Sequence, residues 1–117
     1  MSDETPIVDL DEGDIEAQIQ AKGLLAPRLT PADIDAAIVS EQYYQFPGTT
    51  LTVCCLMLRN GFCVTGESAA ASPENFDAEI GQSIARAEAR DKIWALEGYL
   101  LRQKLYVVHS TLRSPAP

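Results

Sequence analysis

Two β-prone runs, TTLTVCCLML and GFCVTGESA, flank an Arg59-Asn60 junction that leads straight into Gly61. Asn–Gly is the dipeptide best suited to a two-residue type I′ turn, whose central residues both need positive φ. The pattern predicts an antiparallel hairpin at about 50–58 and 62–69. With a two-residue turn, Arg59 faces Phe62, Met57 faces Val64 and Cys55 faces Gly66. One face then carries Leu51, Val53, Cys55, Met57, Phe62 and Val64. It is apolar and is expected to meet a helix. The other carries Thr52, Cys54, Leu56, Leu58, Cys63, Thr65 and Glu67. That mixed face is too apolar for open water, so it meets a second subunit or is covered by an N-terminal helix.

Helix signals lie on both sides of the hairpin. Thr30, Pro31 and Asp33 make a helix start, with Ile34, Ala37, Ile38 and Glu41 following at helical spacing. A helix is expected from Pro31 to about Gln42. Ser72-Pro73-Glu74 reads as a second start. From there Phe76, Ile80, Ile84, Ala87, Trp94, Gly98, Leu101 and Leu105 form one stripe at 100° per residue. Ala85, Ala89, Ile93, Leu96 and Leu100 form another. The first stripe is taken as the core stripe, with Phe76 and Trp94 as packing residues. A helix this long either breaks near Arg90–Asp91 or contributes to an oligomer. LYVVHSTL reads as a short terminal strand and SPAP as a frayed end. IEAQIQAKG reads as a short N-terminal helix.

The fold class is therefore α+β: a hairpin or small sheet packed against a long C-terminal helical segment, with a short N-terminal helix. Residues 1–27 are read as an acidic, flexible segment, 28–105 as one domain and 106–117 as a short extension.

Charge is distributed unevenly. Seven of the 17 acids fall in residues 1–16, where there is no base. The rest is near neutral and basic toward its end, through Arg86, Arg90, Lys92, Arg102, Lys104 and Arg113. Nine bases beneath an acidic tail make a poor footprint for long nucleic acid. Two or three of them aimed at one pocket suffice for a small anion. No run approaches the ~18 apolar residues of a membrane span, and the acidic start is unlike a signal peptide. A cytoplasmic protein is expected, with no membrane partner.

Site chemistry is sparse. Cys54, Cys55 and Cys63 lack the ligand spacing of a zinc site, and the single His109 is poorly placed to activate a thiol. No metal and no cofactor are expected. Phosphate-cradling and nucleophile motifs are absent from the sequence, which favours a binding protein over an enzyme. Arg86 and Arg90, four residues apart, either line a solvated face or hold an anion. Arg102 either joins them or snorkels from the core. Phe62 beside Arg59 and Asn60 suits a nucleobase and its phosphate, and equally suits hairpin packing.

Three stretches carry a family resemblance: RLTPADIDAAI at 28–38, LRNGFCVTGESAAASPENFDAEIG at 58–81 and ARAEARDKIWALEGYLL at 85–101. Together they resemble a family of small phage and prophage proteins that includes the anti-Thoeris sponges, the first type of Thoeris anti-defence protein. The resemblance implies non-catalytic capture of an immune signal, a cyclic ADP-ribose isomer and in some members cyclic oligonucleotides, in pockets at a dimer interface. It implies a homodimer or hexamer. It places Asn75 and Phe76 in the family's ENF motif and Arg59, Asn60 and Phe62 at its hairpin tip, and Arg86, Arg90 and Arg102 in the matching helix. The competing expectations are a phage protein–protein interaction module or host-factor inhibitor with no nucleotide ligand, and a small assembly factor.

Overall fold

A computed structural model describes residues 11–113. The acidic residues 1–10 and the last four, read above as a loose tail and a frayed end, lie outside the described residues. The element order is α1 (Glu12–Ala21), α2 (Pro31–Ala36), β1 (Ile38–Gln45), β2 (Leu51–Leu58), β3 (Cys63–Ala69) and α3 (Ala78–Arg113). The strands form one antiparallel sheet in the order β1-β2-β3, and α3 crosses one of its faces. This is the α+β architecture expected.

The hairpin forms, but with a loop one residue longer than a type I′ turn. The Leu58 N–H donates to the Phe62 carbonyl at 2.8 Å, and the Gly61 N–H donates to the Leu58 carbonyl at 2.8 Å. Arg59, Asn60 and Gly61 thus make a three-residue loop, with Gly61 alone at positive φ (89°). Asn60 Oδ1 accepts from the Phe62 N–H at 3.0 Å, the Asx bond that stabilises this longer form. The register moves with it. Met57 lies opposite Cys63, Leu56 opposite Val64 and Cys54 opposite Gly66.

A one-residue slip inverts the faces. Val64 sits on the opposite face from Met57, which corrects the expected register. Thr52, Cys54, Leu56, Leu58, Val64 and Gly66 are the buried set. The expected core face of β2, Leu51, Val53, Cys55 and Met57, is only partly covered. Thr52 to Leu58 of the "mixed" face lie beneath α3, neither in a subunit contact nor under the N-terminal helix.

β1 was not expected. The Thr30–Asp33 capping box is present, with the Asp33 N–H on Thr30 Oγ1 at 3.2 Å and the Thr30 N–H on Asp33 Oδ2 at 2.9 Å. The helix nevertheless stops at Ala36. Ile38, Val39, Tyr43 and Tyr44 favour a pleated surface, and pairing with β2 supplies their backbone partners. Ile34 and Ala37 remain buried against the sheet and α3.

The last helix also starts later than expected. Pro73–Asn75 is a single 3₁₀ turn, and Ser72 makes no capping bond. Asp77 caps instead, its Oδ1 accepting from the Ile80 N–H at 3.0 Å. From Ala78 the helix runs 36 residues without a break at Arg90–Asp91, a length of about 54 Å at 1.5 Å per residue. LYVVHSTL belongs to it and forms no strand.

The core stripe of α3 is the second one. Ala85, Ala89 and Ile93 are 0% exposed, whereas Ile80 and Ile84 are exposed and Trp94 and Phe76 half-buried. The reason is close approach. A Cβ on Gly66 would lie 2.2 Å from the Ala85 carbonyl oxygen and 2.3 Å from the Ala89 nitrogen. Only small side chains fit between helix and sheet there, so the larger residues of the first stripe turn away.

Side chains of α3 also reach past the sheet. Glu88 Oε1 accepts from the Glu67 N–H at 2.9 Å, and Lys92 Nζ donates to the Thr65 carbonyl at 2.6 Å. Both backbone groups lie on the outer edge of β3. Beyond Glu97 the helix extends past the sheet, exposing Tyr99, Leu100, Tyr106, Val107, Val108 and Leu112. Among the described residues no helix is long and apolar enough to cross a membrane.

Candidate functional site

The hairpin loop and α3 enclose a cleft of about 390 Å³, lined by Leu58, Arg59, Asn60, Phe62, Leu96, Glu97, Tyr99 and Leu100. That volume is in the range of small-ligand sites. Three local choices shape it. The three-residue loop turns Arg59 and Asn60 outward beside Phe62. The turn of α3 after Ile93 brings Leu96 and Leu100 under the loop, four residues apart on one helix face. Tyr99 stands beside them.

The cleft combines an apolar floor with two exposed aromatic rings, Phe62 at 55% and Tyr99 at 72%. Its polar groups are the Arg59 guanidinium, the Asn60 amide and the Glu97 carboxylate. Arg59 Nη2 lies 3.5 Å from Glu97 Oε1; the arginine side chain is 65% exposed and the glutamate 16%. The pair is loose on the arginine side. A long contact on an exposed guanidinium leaves Arg59 able to turn toward an incoming anion at low cost.

The structure brings three of the expected residues together here: Arg59, Asn60 and Phe62. Asn75 and Phe76 meet elsewhere, in a shallow cleft of about 90 Å³ at the start of α3, with Thr50, Ser68, Asp77, Ile80 and Ile84. Some 16 helical residues separate the two clefts, about 24 Å along α3. One small ligand does not reach both within one chain.

Arg86 and Arg90 point to the other side of α3, where each meets carboxylates of its own chain. Arg86 Nε is 3.2 Å from Glu41 Oε1. Glu41 also accepts from the Tyr43 hydroxyl, and the two hydrogen bonds, Tyr43 first, hold its carboxyl below the usual range. Burial, followed by this bond, pushes the Tyr43 phenol up. Arg90 donates from Nε to Asp35 Oδ1 at 2.9 Å, from Nη2 to the Pro31 carbonyl at 3.2 Å, and from Nη1 to Glu12. Glu12 also accepts from the Trp94 indole N–H at 2.9 Å. The hydrogen bond from Arg90 is the main cause that holds the Glu12 carboxyl below its ordinary value. Arg102 stands exposed on the overhang of α3. It lies three residues past Tyr99, hence on an adjoining part of the helix face.

Sequence reasoning missed Tyr99, Leu96, Leu100 and Glu97 as cleft residues. All four lie in the ARAEARDKIWALEGYLL stretch at 85–101, but nothing in it shows that the hairpin tip folds over that turn. No group of metal-ligating side chains is found among the described residues.

No curated protein and no solved structure matches the chain. A family model matches residues 29–105, covering α2, the whole sheet and α3 as far as Leu105. Hairpin, sheet and most of the long helix are thus the shared part, and the chain belongs to the phage protein (N4 Gp49/phage Sf6 gene 66) family.

Proposed function

We propose that this phage-family protein captures a cyclic nucleotide immune signal, of the cyclic ADP-ribose type, and holds it without breaking it. The observation that carries the reading is the hairpin-tip cleft, which places Phe62, Tyr99, Arg59 and Asn60 around one apolar floor. A flat base stacks on an aromatic ring, an amide and a carboxylate read its edge, and guanidinium groups hold the pyrophosphate. Arg59 supplies one positive charge and Arg102, beside Tyr99, supplies the second. Asn75 and Phe76 would join the site only from a second copy of the chain, in the shared-pocket arrangement that the family resemblance implies. Capture without catalysis fits a cleft that offers binding groups and no paired nucleophile and base.

The test is to mix the purified full-length protein with cyclic ADP-ribose isomers made by TIR proteins, remove unbound ligand, heat the complex and assay what is released. Intact ligand is expected from the parent. Phe62→Ala and Arg59→Ala should each weaken binding about tenfold to a hundredfold. Release of hydrolysed product, or no binding at all, would sink the reading.

A second reading, a protein–protein interaction module, is favoured by the exposed apolar end of α3. It requires no nucleotide. No nucleotide binding by the parent, together with a host protein retained through residues 106–112, would favour it.

A further inference from the structure

Two side chains hold α1 to the body of the protein, Glu16 to the segment before α2 and Glu12 to α3. α1 has no buried residue. Glu16 pairs with Arg28, two residues before the Thr30 cap of α2, at 2.7 Å. What reaches α3 is Glu12, which accepts from both Arg90 Nη1 and the Trp94 indole N–H. Behind it lies a cleft of about 450 Å³ whose lining includes Ile15 and Ile19 from α1 and Leu29, Pro31 and Trp94 from the body.

This arrangement is how a protein receives a small anion. A guanidinium and an indole N–H converge on one carboxylate oxygen. Arg90 is fixed in place by Asp35 and the Pro31 carbonyl, and its side chain is only 16% exposed. With α1 lifted away, Arg90 and Trp94 would offer two convergent donors beside a wall of Leu29 and Pro31, with the Asp91 carboxylate also on the cleft lining.

We propose that Arg90 and Trp94 form a second anion-binding seat which the chain's own Glu12 occupies, so that α1 is a tethered competitor for small phosphate- or carboxylate-bearing ligands. The seat is separate from the hairpin-tip cleft and does not depend on it. The tether explains why the seat stays closed. A carboxylate linked through the short 22–30 segment has an effective concentration in the millimolar range. A free anion must exceed that, or α1 must be released first. Apparent affinity falls by the fraction of molecules with α1 open. Each of the two charge-assisted bonds contributes roughly tenfold to a hundredfold to that penalty.

Trp94 is the chain's single tryptophan, so its emission reports on this seat alone. The experiment titrates sodium pyrophosphate into the full-length parent, Glu12→Ala and Glu12→Ala/Arg90→Ala at matched ionic strength, following that emission. Glu12→Ala should bind pyrophosphate at least tenfold more tightly than the parent, and the double variant should lose the gain. An unchanged affinity in Glu12→Ala, or a gain that persists without Arg90, overturns the proposal. Amide hydrogen exchange on the parent needs no variant. Excess pyrophosphate should speed exchange across residues 12–21 and leave residues 81–96 protected. If residues 12–21 exchange at the same rate with and without it, Glu12 is a structural contact and nothing more. Neither readout involves Phe62 or Arg59, so failure here leaves the nucleotide reading standing.

Discussion

Replacing Gly66 by alanine tests the packing that holds the sheet to its helix. The added methyl would stand 2.2 Å from the Ala85 carbonyl oxygen, 2.3 Å from the Ala89 nitrogen and 3.0 Å from its Cα. All three are backbone atoms of α3, so no rotamer change relieves the clash. Restoring an ordinary contact of about 3.5 Å requires helix and sheet to part by roughly 1 Å. A gap of that size forfeits a quarter to a half of the dispersion energy along the stripe of Ala85, Ala89 and Ile93. Overpacked core sites usually cost ~1–3 kcal/mol, and backbone opposed on this scale sets the expectation at about 3 kcal/mol or more. For a chain of this size that is a fall in Tm of about 12 °C, from a total stability of only ~5–15 kcal/mol. Urea unfolding followed by circular dichroism measures it directly. Gly81→Ala is the internal control. Its Cβ would meet the hydroxyls of Thr52 and Ser68 at 3.3 and 3.4 Å, which can yield, and alanine is favoured over glycine in a helix by up to ~1 kcal/mol. It should stay within about 1 kcal/mol of the parent. A Gly66→Ala protein within about 0.5 kcal/mol of the parent would refute the close-approach argument.

Three further outcomes are expected. Ile93→Ala, at the centre of the same stripe, should cost ~2–5 kcal/mol in urea unfolding; a smaller loss would mean that the helix relaxes to fill the cavity. Gly61→Ala forces a methyl-bearing residue to positive φ and should cost ~1–2 kcal/mol, whereas a two-residue turn with Asn60 also at positive φ would make Asn60→Gly stabilising, which is not expected. Acid should loosen α1. The Arg28 and then the Gln20 hydrogen bonds pull the Glu16 carboxyl down to about 2, and the Arg90 bond also depresses Glu12. Groups depressed by folding stabilise it fully above their unfolded value near 4.5, and that contribution disappears as pH falls from there, for Glu16 toward about 2. Trp94 emission should change over that window, and an emission flat from pH 5 to 2 would contradict the Glu12 contact.

The hairpin and the long helix were legible because their signals are local. Asn–Gly marks a turn wherever it falls, and 3.6-residue periodicity marks a helix. The register was not legible, because Asn60–Gly61 serves either as a whole two-residue turn or as the last two residues of a three-residue loop. What decides between them is the bond from the Phe62 N–H to Asn60, and the fit of Gly66 under α3. β1 was hidden for a related reason. Ile34, Ala37, Ile38 and Glu41 satisfy helical spacing, but the hydrogen bonds offered by β2 outweigh it from Ile38 onward. The core stripe was misjudged because large apolar residues look like core until a glycine on the facing strand leaves room only for alanine. Of the site, the hairpin-tip residues could be read from motif and type. Tyr99 and Glu97 could not, since their position depends on how far the loop reaches across the helix, and that distance is tertiary.

The hydrogen bonds from Glu88 and Lys92 to the rim of β3 decide how this sheet can be lengthened. A strand joining at β3 must first displace a carboxylate from the Glu67 N–H and an ammonium group from the Thr65 carbonyl. The β1 rim has no such clamp among the described residues. Were two copies to share a continuous sheet, β1 meeting β1 across a twofold axis would leave only clamped rims outside. Head-to-tail addition of β1 onto β3, the geometry that repeats without end into a fibre, is opposed by two side chains of a helix.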